Sequence, residues 1–286
     1  RKAHWTEHAD RDETWAEAEK ARIGEERFRR EHECEFLIFD ETLISSLVLA
    51  DMEGVAPVEN TGQVRWFKRP TPGHTYMVSL DPSMGTGGDY AAIQVFELPT
   101  FEQVGEWHHN QTPMNQQVRI LQGINKHIHD TILEQDSTAT PQIFYSMENN
   151  TIGEAALMRV MDIGEENIMG MFLSEPIRKG HRRKFRRGFN TTAKHKIDAC
   201  TKFKELVEND KMKINSQLLI SEMKDFVATG LSYKAKPGQH DDLVSSCLLM
   251  TRMMKVLADF DPKIFEKWTD RTSQITPMPI FGSFTG

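Results

Sequence analysis

An apolar run that ends on a carboxylate places the strongest constraint on this chain. Tyr76-Met77-Val78-Ser79-Leu80-Asp81 is followed by Pro82-Ser83-Met84-Gly85-Thr86-Gly87-Gly88-Asp89-Tyr90, then by a second apolar run, Ala91-Ala92-Ile93-Gln94-Val95-Phe96. The pattern predicts strand, glycine-rich turn, strand, with Asp81 closing the first strand. A carboxylate at that point is costly in a buried sheet unless a cation compensates it.

The rest of the chain supplies elements around this pair. Strands are expected at 75–81, 90–97 and 102–109, and their short connections make an antiparallel meander. Helical spacing runs over 114–134, and a strand over 142–147 ends on Glu148. A helix at 151–161 and a strand at 168–173 follow. Asn190-Thr191-Thr192 can cap a helix over 193–208. Residues 212–214 read as strand-like, 216–227 as helix and 231–239 as loop or hairpin. His240-Asp241-Asp242-Leu243-Val244 opens a long core-facing helix. Upstream, 10–32 reads as a charge-laced helix and 40–44 as a helix entry. Residues 51–74 read as loop around a short strand at 63–67. The expected fold class is α/β, a mixed sheet flanked by helices.

Composition bounds the function. The sequence has 286 residues, 38% hydrophobic and 27% charged, which suits a globular chain with a sizeable core. No run approaches the ~18 apolar residues of a membrane span, so no membrane partner is expected. The polar N-terminus carries no secretory signal, and with Arg at position 1 the sequence reads as part of a longer protein. Cys34, Cys200 and Cys247 form no CxxC pair, which fits a reducing compartment. Net charge is −7, yet residues 176–197 hold nine Lys or Arg and no acid. Such a stretch directs a positive field locally.

Asp81 and Glu148 close strands whose ends can be neighbours, and Asp241 and Asp242 open a helix that can pack across the sheet. Carboxylates drawn together repel unless cations bind between them. An all-oxygen cluster favours Mg²⁺ or Mn²⁺, and two such ions about 4 Å apart are a device for phosphodiester cleavage. Taken singly, each acid has a plainer reading. Asp81 and Asp89 can be turn residues, Glu148 can belong to a helix N-cap, and Asp241-Asp242 can serve the helix dipole. Gly85-Thr86-Gly87-Gly88 is not a phosphate loop, because no Lys-Ser/Thr follows and the next element reads as strand. His108-His109 and the pair His127 and His129 lack the spacing of a zinc site and read as solvated or structural. Arg178, Lys179, Arg182, Arg183, Lys184, Arg186 and Arg187, extended by Lys194 and Lys196, form either a solvated loop or a clamp on a phosphate backbone.

Three pieces together carry a resemblance: Ser79-Leu80-Asp81-Pro82-Ser83-Met84-Gly85-Thr86-Gly87-Gly88-Asp89-Tyr90, Tyr145-Ser146-Met147-Glu148-Asn149-Asn150, and His240-Asp241-Asp242-Leu243-Val244. In this order the chain resembles the C-terminal nuclease domain of the large terminase subunit of tailed bacteriophages, most closely the contractile-tail branch. His8-Ala9-Asp10-Arg11-Asp12-Glu13-Thr14-Trp15, Phe28-Arg29-Arg30-Glu31 and Glu33-Cys34-Glu35-Phe36 are similar to the end of that family's ATPase domain. The resemblance implies an RNase H-like nuclease at 41–262, an ATPase remnant and linker at 1–40, and an extended tail at 263–286. It implies an endonuclease that cuts concatemeric double-stranded DNA with little sequence specificity by two-metal hydrolysis. Asp81, Glu148 and Asp242 would be catalytic and hold the metals, with Asp241 auxiliary and Asp89 a further candidate ligand. The implied partners are the portal, the small terminase subunit and the ATPase domain, in the host cytoplasm at the procapsid portal. The family's Walker motifs are missing, so no ATP site is expected in this sequence. The alternatives are a non-catalytic module docking to portal or DNA, and another RNase H-like enzyme such as a junction resolvase or transposase core.

Overall fold

The structure is a computed structural model that describes residues 5–8, 10–25, 28, 32–33, 41–176 and 187–260. Its helices are α1 Glu13–Ile23, α2 Ser46–Asp51, α3 Met114–Gln135, α4 Thr151–Ile163, α5 Ala193–Glu208, α6 Gln217–Asp225 and α7 Asp242–Phe260. Its strands are β1 Glu59–Thr61, β2 Val64–Trp66, β3 Thr75–Asp81, β4 Ala91–Leu98, β5 Glu102–His109, β6 Gln142–Met147, β7 Met171–Phe172, β8 Phe226–Thr229 and β9 Ser232–Ala235.

Seven strands form one mixed sheet in the order β1-β2-β5-β4-β3-β6-β7. The expected meander is present: β3 and β4 pair antiparallel, as do β4 and β5. The crossover through α3 then returns β6 parallel to β3, with Leu80 opposite Met147. That register brings the ends of β3 and β6 to the same edge of the sheet.

Side chains on β3 alternate between two cores, as the two-residue strand period requires. Tyr76, Val78 and Leu80 face α3 and α4, packing in one cluster with Val118, Leu121, Ile128, Ala156 and Val160. Met77 faces the other way, with Phe203 of α5, Met223 of α6 and Val244 of α7. The same alternation sends Ser79 and Asp81 toward α7. Fully buried side chains of this size contribute about 1.5–3 kcal/mol each. Ser79 and Ser246 let β3 and α7 come close: their hydroxyls are 2.8 Å apart, and Ser79 Oγ lies 2.9 Å from the Ser246 carbonyl oxygen. The turn after Asp81 depends on Gly85, whose φ is 69° and where a Cβ would lie 2.1 Å from the Thr112 carbonyl.

Several expectations are corrected. The first helix stops at Ile23, where Gly24 takes φ 86°. A short hairpin, β1–β2, replaces the single strand expected at 63–67. The strand expected over 168–173 shrinks to Met171–Phe172, because Glu165–Asn167 form a turn of 3-10 helix before it. Residues 212–214 contribute one bridge, Lys213 to Glu102. The helix expected over 216–227 ends at Asp225, and Phe226–Thr229 pair with Ser232–Ala235 as a hairpin. Residues 34–40, Cys34 among them, lie outside the described residues; Cys200 and Cys247 are buried free thiols. No described helix is long and apolar enough to cross a membrane.

Candidate active site

Asp81 is the last residue of β3, and Glu148 follows directly on β6. The Glu148 backbone N–H donates to the Leu80 carbonyl at 3.1 Å, which fixes the two residues side by side. Asn150 secures Glu148 from beyond the strand. Its Nδ2 donates to Glu148 Oε2 at 3.0 Å, while its Oδ1 caps α4 by accepting from Ile152 and Gly153 N–H. Gly153 is required at this point, since a Cβ there would lie 1.8 Å from the Glu148 carbonyl oxygen.

The carboxylates of α7 approach the same edge. Asp242 begins the helix, sits by the Tyr90 backbone N–H, and lies 3.7 Å from Nδ1 of His240. Asp241 Oδ2 accepts from Ala235 N at 3.2 Å and lies 3.9 Å from Lys196 Nζ. Burial holds Asp81 well above the usual carboxylate range. The adjacent Glu148 adds to this, and so do Asp242 and Asp241. Burial and then Asp241 push Asp242 up to about 6, against the opposing pull of His240 and the Tyr90 N–H. Asp89 is exposed and adds a further like charge toward Asp242. The structure thus brings Asp81 and Glu148 into contact, with Asp241 and Asp242 near enough to act on Asp81. Asp89 stands at the rim.

Among the described residues, no three His, Cys, Asp or Glu side chains are already grouped as a metal site. The donor chemistry nevertheless fits a hard divalent cation. Every nearby acid offers oxygen, and the like charges that raise Asp81 and Asp242 are those a bound cation would relieve.

A cleft of about 160 Å³ is lined by Asp81 and Glu148 together with Thr191, His195, Lys196 and Arg252. Sequence reasoning anticipated Lys196, and it missed His195 and Arg252. Arg252 Nη1 donates to Thr191 Oγ1 at 3.0 Å, and Nη2 donates to the Asn190 carbonyl at 3.0 Å and to Glu175. It thereby ties residues 190–191 to α7. The neighbouring Phe189 is bridged to Glu148, and Asn149 N donates to its carbonyl at 2.7 Å. Lone polar residues inside a long apolar helix are the available sequence signal for Arg252, and it is a weak one.

Of the basic residues, Arg178, Lys179, Arg182, Arg183, Lys184 and Arg186 lie outside the described residues. Arg187 is engaged by Glu165 through both guanidinium nitrogens. Lys194 is exposed on the first turn of α5. The histidines have packing roles: His127 stacks on Trp66 at 4.5 Å and His108 on Tyr90 at 4.1 Å.

A family model described as the terminase RNase H-like domain matches residues 78–253, more than half of the chain. Among solved structures, the chain is similar to the large terminase nuclease of thermophilic phage G20c with bound magnesium. The two share 18% identity at a TM-score of 0.54, over 75% of this chain and 97% of that one. It is also similar to the large terminase nuclease domain of Thermus phage P74-26, at 18% identity and a TM-score of 0.52, over 73% and 93% of the two chains. The mixed sheet, with α7 laid across β3 and β4, fits that RNase H-like fold, and the chain belongs to the terminase RNase H-like domain family.

Proposed function

We propose that this chain is the endonuclease domain of a phage DNA-packaging terminase. On this reading it cuts concatemeric double-stranded DNA, with little sequence specificity, in the presence of Mg²⁺ or Mn²⁺. The observation that carries the reading is the contact of Asp81 with Glu148 at the ends of parallel strands, under the like-charge influence of Asp242 and Asp241. Family membership supports it.

Asp81, Glu148 and Asp242 would hold the ions, with Asp241 beside them and Asp89 at the rim. When bound, two divalent ions activate water and neutralise charge on the scissile phosphate. The protein prepares the place for them. β3 and β6 hold two carboxyls together, where burial and like charge disfavour ionised Asp81 until a cation binds. Asn150 Nδ2 orients Glu148. Lys196 presents positive charge beside the acids, and with Lys194, exposed on the same first turn of α5, it would bind the DNA backbone. Contacts of that type carry no base information, consistent with low sequence specificity. Arg178, Lys179, Arg182, Arg183, Lys184 and Arg186 would add backbone contacts of the same type. The partners on this reading are double-stranded DNA, the portal, the small terminase subunit and the ATPase domain. The place of action is the infected host's cytoplasm at the procapsid portal.

Plasmid cleavage tests the reading. The parent should nick and linearise supercoiled DNA with Mg²⁺ or Mn²⁺ and not with EDTA, and Asp81→Ala and Asp242→Ala should abolish cutting. A folded parent that binds DNA without cutting it would instead be a docking module.

A further inference from the structure

Glu222, in α6, is a nearly buried carboxylate that the reaction above leaves without a role. It is 9% exposed. Its Oε2 accepts from the backbone N–H groups of Leu243 at 2.8 Å and Val244 at 3.1 Å. These follow Asp242 directly in the first turn of α7. Two N–H groups that a helix start leaves unpaired are therefore satisfied by a side chain from another helix.

The other carboxyl oxygen faces β5. Oε1 lies 3.6 Å from Nε2 of His108, a buried ring nitrogen without a hydrogen-bond partner. The His108 ring stacks on Tyr90 at 4.1 Å, and the Tyr90 backbone N–H is close enough to Asp242 to favour its charged form. Asp242 thus sits between a helix turn that Glu222 fastens and the β3–β4 turn that His108 packs against. Burial pushes Glu222 up to about 9 and His108 down to about 4, so both are neutral at pH 7. A neutral acid still accepts the two N–H groups on one oxygen, while its other oxygen packs 3.6 Å from the His108 ring nitrogen. It does so without adding a charge beside Asp241 and Asp242.

We propose that Glu222 is a positioning residue for Asp242, fastening the first turn of α7 to α6 and, through His108 and Tyr90, to the β3–β4 turn. The inference rests on the reading of Asp242 as a metal-holding residue. It differs from a purely structural cap in one respect: the loss of Glu222 should weaken metal binding by a protein that remains folded.

The test compares the parent, Glu222→Ala and Glu222→Gln by calorimetric Mn²⁺ titration, with circular dichroism to confirm folding. Glu222→Ala should lose about tenfold or more in Mn²⁺ affinity, the usual effect of removing a group that orients a ligand. Its DNA cleavage should be poor at limiting Mn²⁺ and recover as Mn²⁺ is raised. Glu222→Gln keeps an uncharged acceptor and donor in the same places and should stay within about twofold of the parent. If Glu222→Ala unfolds, Glu222→Asp, which withdraws the carboxyl by one methylene, takes its place with the same expected loss. A folded Ala or Asp variant with parental Mn²⁺ affinity overturns the inference alone, as does a Gln variant as defective as Ala. A parent that binds no Mn²⁺ overturns the proposed function and this inference with it.

Discussion

Asp81 and Glu148 lie side by side because β3 and β6 run parallel in a register that places Leu80 opposite Met147. Burial and the adjacent Glu148 carboxyl hold Asp81 well above the usual carboxylate range. A pair of this kind is destabilised when both members ionise, and it is ready for a cation that would let both do so. The surrounding structure serves that pairing, and the expected consequences can be measured.

The first concerns pH. Asp242 binds its proton more tightly folded than unfolded, since burial and Asp241 raise it from 3.8 to about 6. The native state therefore holds the extra proton. Its stabilising contribution is full below pH 3.8 and is lost as pH rises through about 6. In EDTA, Asp242→Asn should gain Tm relative to the parent between pH 4 and pH 7. Mn²⁺ at pH 7 should raise the parent's Tm more than the variant's. A Tm difference that is flat across this range would count against the electrostatic account.

A second expectation concerns the close approach of β3 and α7 at Ser79 and Ser246. Ser246→Val puts methyl groups where hydroxyls interlock and should cost about 1–3 kcal/mol by overpacking. Ser246→Ala removes hydrogen bonds without adding bulk and should cost about 1 kcal/mol. Urea unfolding measures both, and the Val variant should also cut DNA more slowly, because the helix carrying Asp242 is pushed off the sheet.

Asn150 serves two neighbours, so its variants should separate the roles. Asn150→Ala loses the cap of α4 and should cost about 1 kcal/mol. Asn150→Asp keeps the capping oxygen but sets an acid against Glu148 Oε2, so stability should fall less than cutting does. Gly153→Ala forces the Glu148 backbone to move. A displacement of about 1 Å at a reacting centre can cost about 100-fold in rate, and single-turnover cleavage should show a loss of that order.

Lys196 lines the cleft and lies 3.9 Å from Asp241. Lys196→Ala should weaken DNA binding similarly for unrelated sequences and reduce the slope of log affinity against log salt by about 1. Fluorescence anisotropy at several salt concentrations would show this, and an unchanged slope would remove Lys196 from the DNA contact.

The sheet and the acids were legible in the sequence for a common reason. Asp81 and Glu148 each end a largely apolar run, and Asp242 begins one, so charge at an element boundary is visible in the sequence alone. The bounds of β3, β5 and α5 follow from the same contrast. Phe226–Thr229 was not legible. These residues continue the apolar spacing of α6, and only pairing with Ser232–Ala235 makes them a strand. Glu222 was hidden similarly: it reads as a polar position on a helix, and its partners Leu243, Val244 and His108 are brought to it by the fold. Arg252 and His195 enter the cleft because α7 and α5 pack together, which no local pattern encodes.

If Asp81, Glu148 and Asp242 jointly hold divalent ions, a crystal of the protein soaked in Mn²⁺ will show it. Anomalous difference peaks are expected in contact with carboxylate oxygens of Asp81, Glu148 and Asp242, and they should be absent in Asp81→Ala. Mn²⁺ bound elsewhere with these three carboxylates untouched, or peaks that persist unchanged in Asp81→Ala, would contradict the claim.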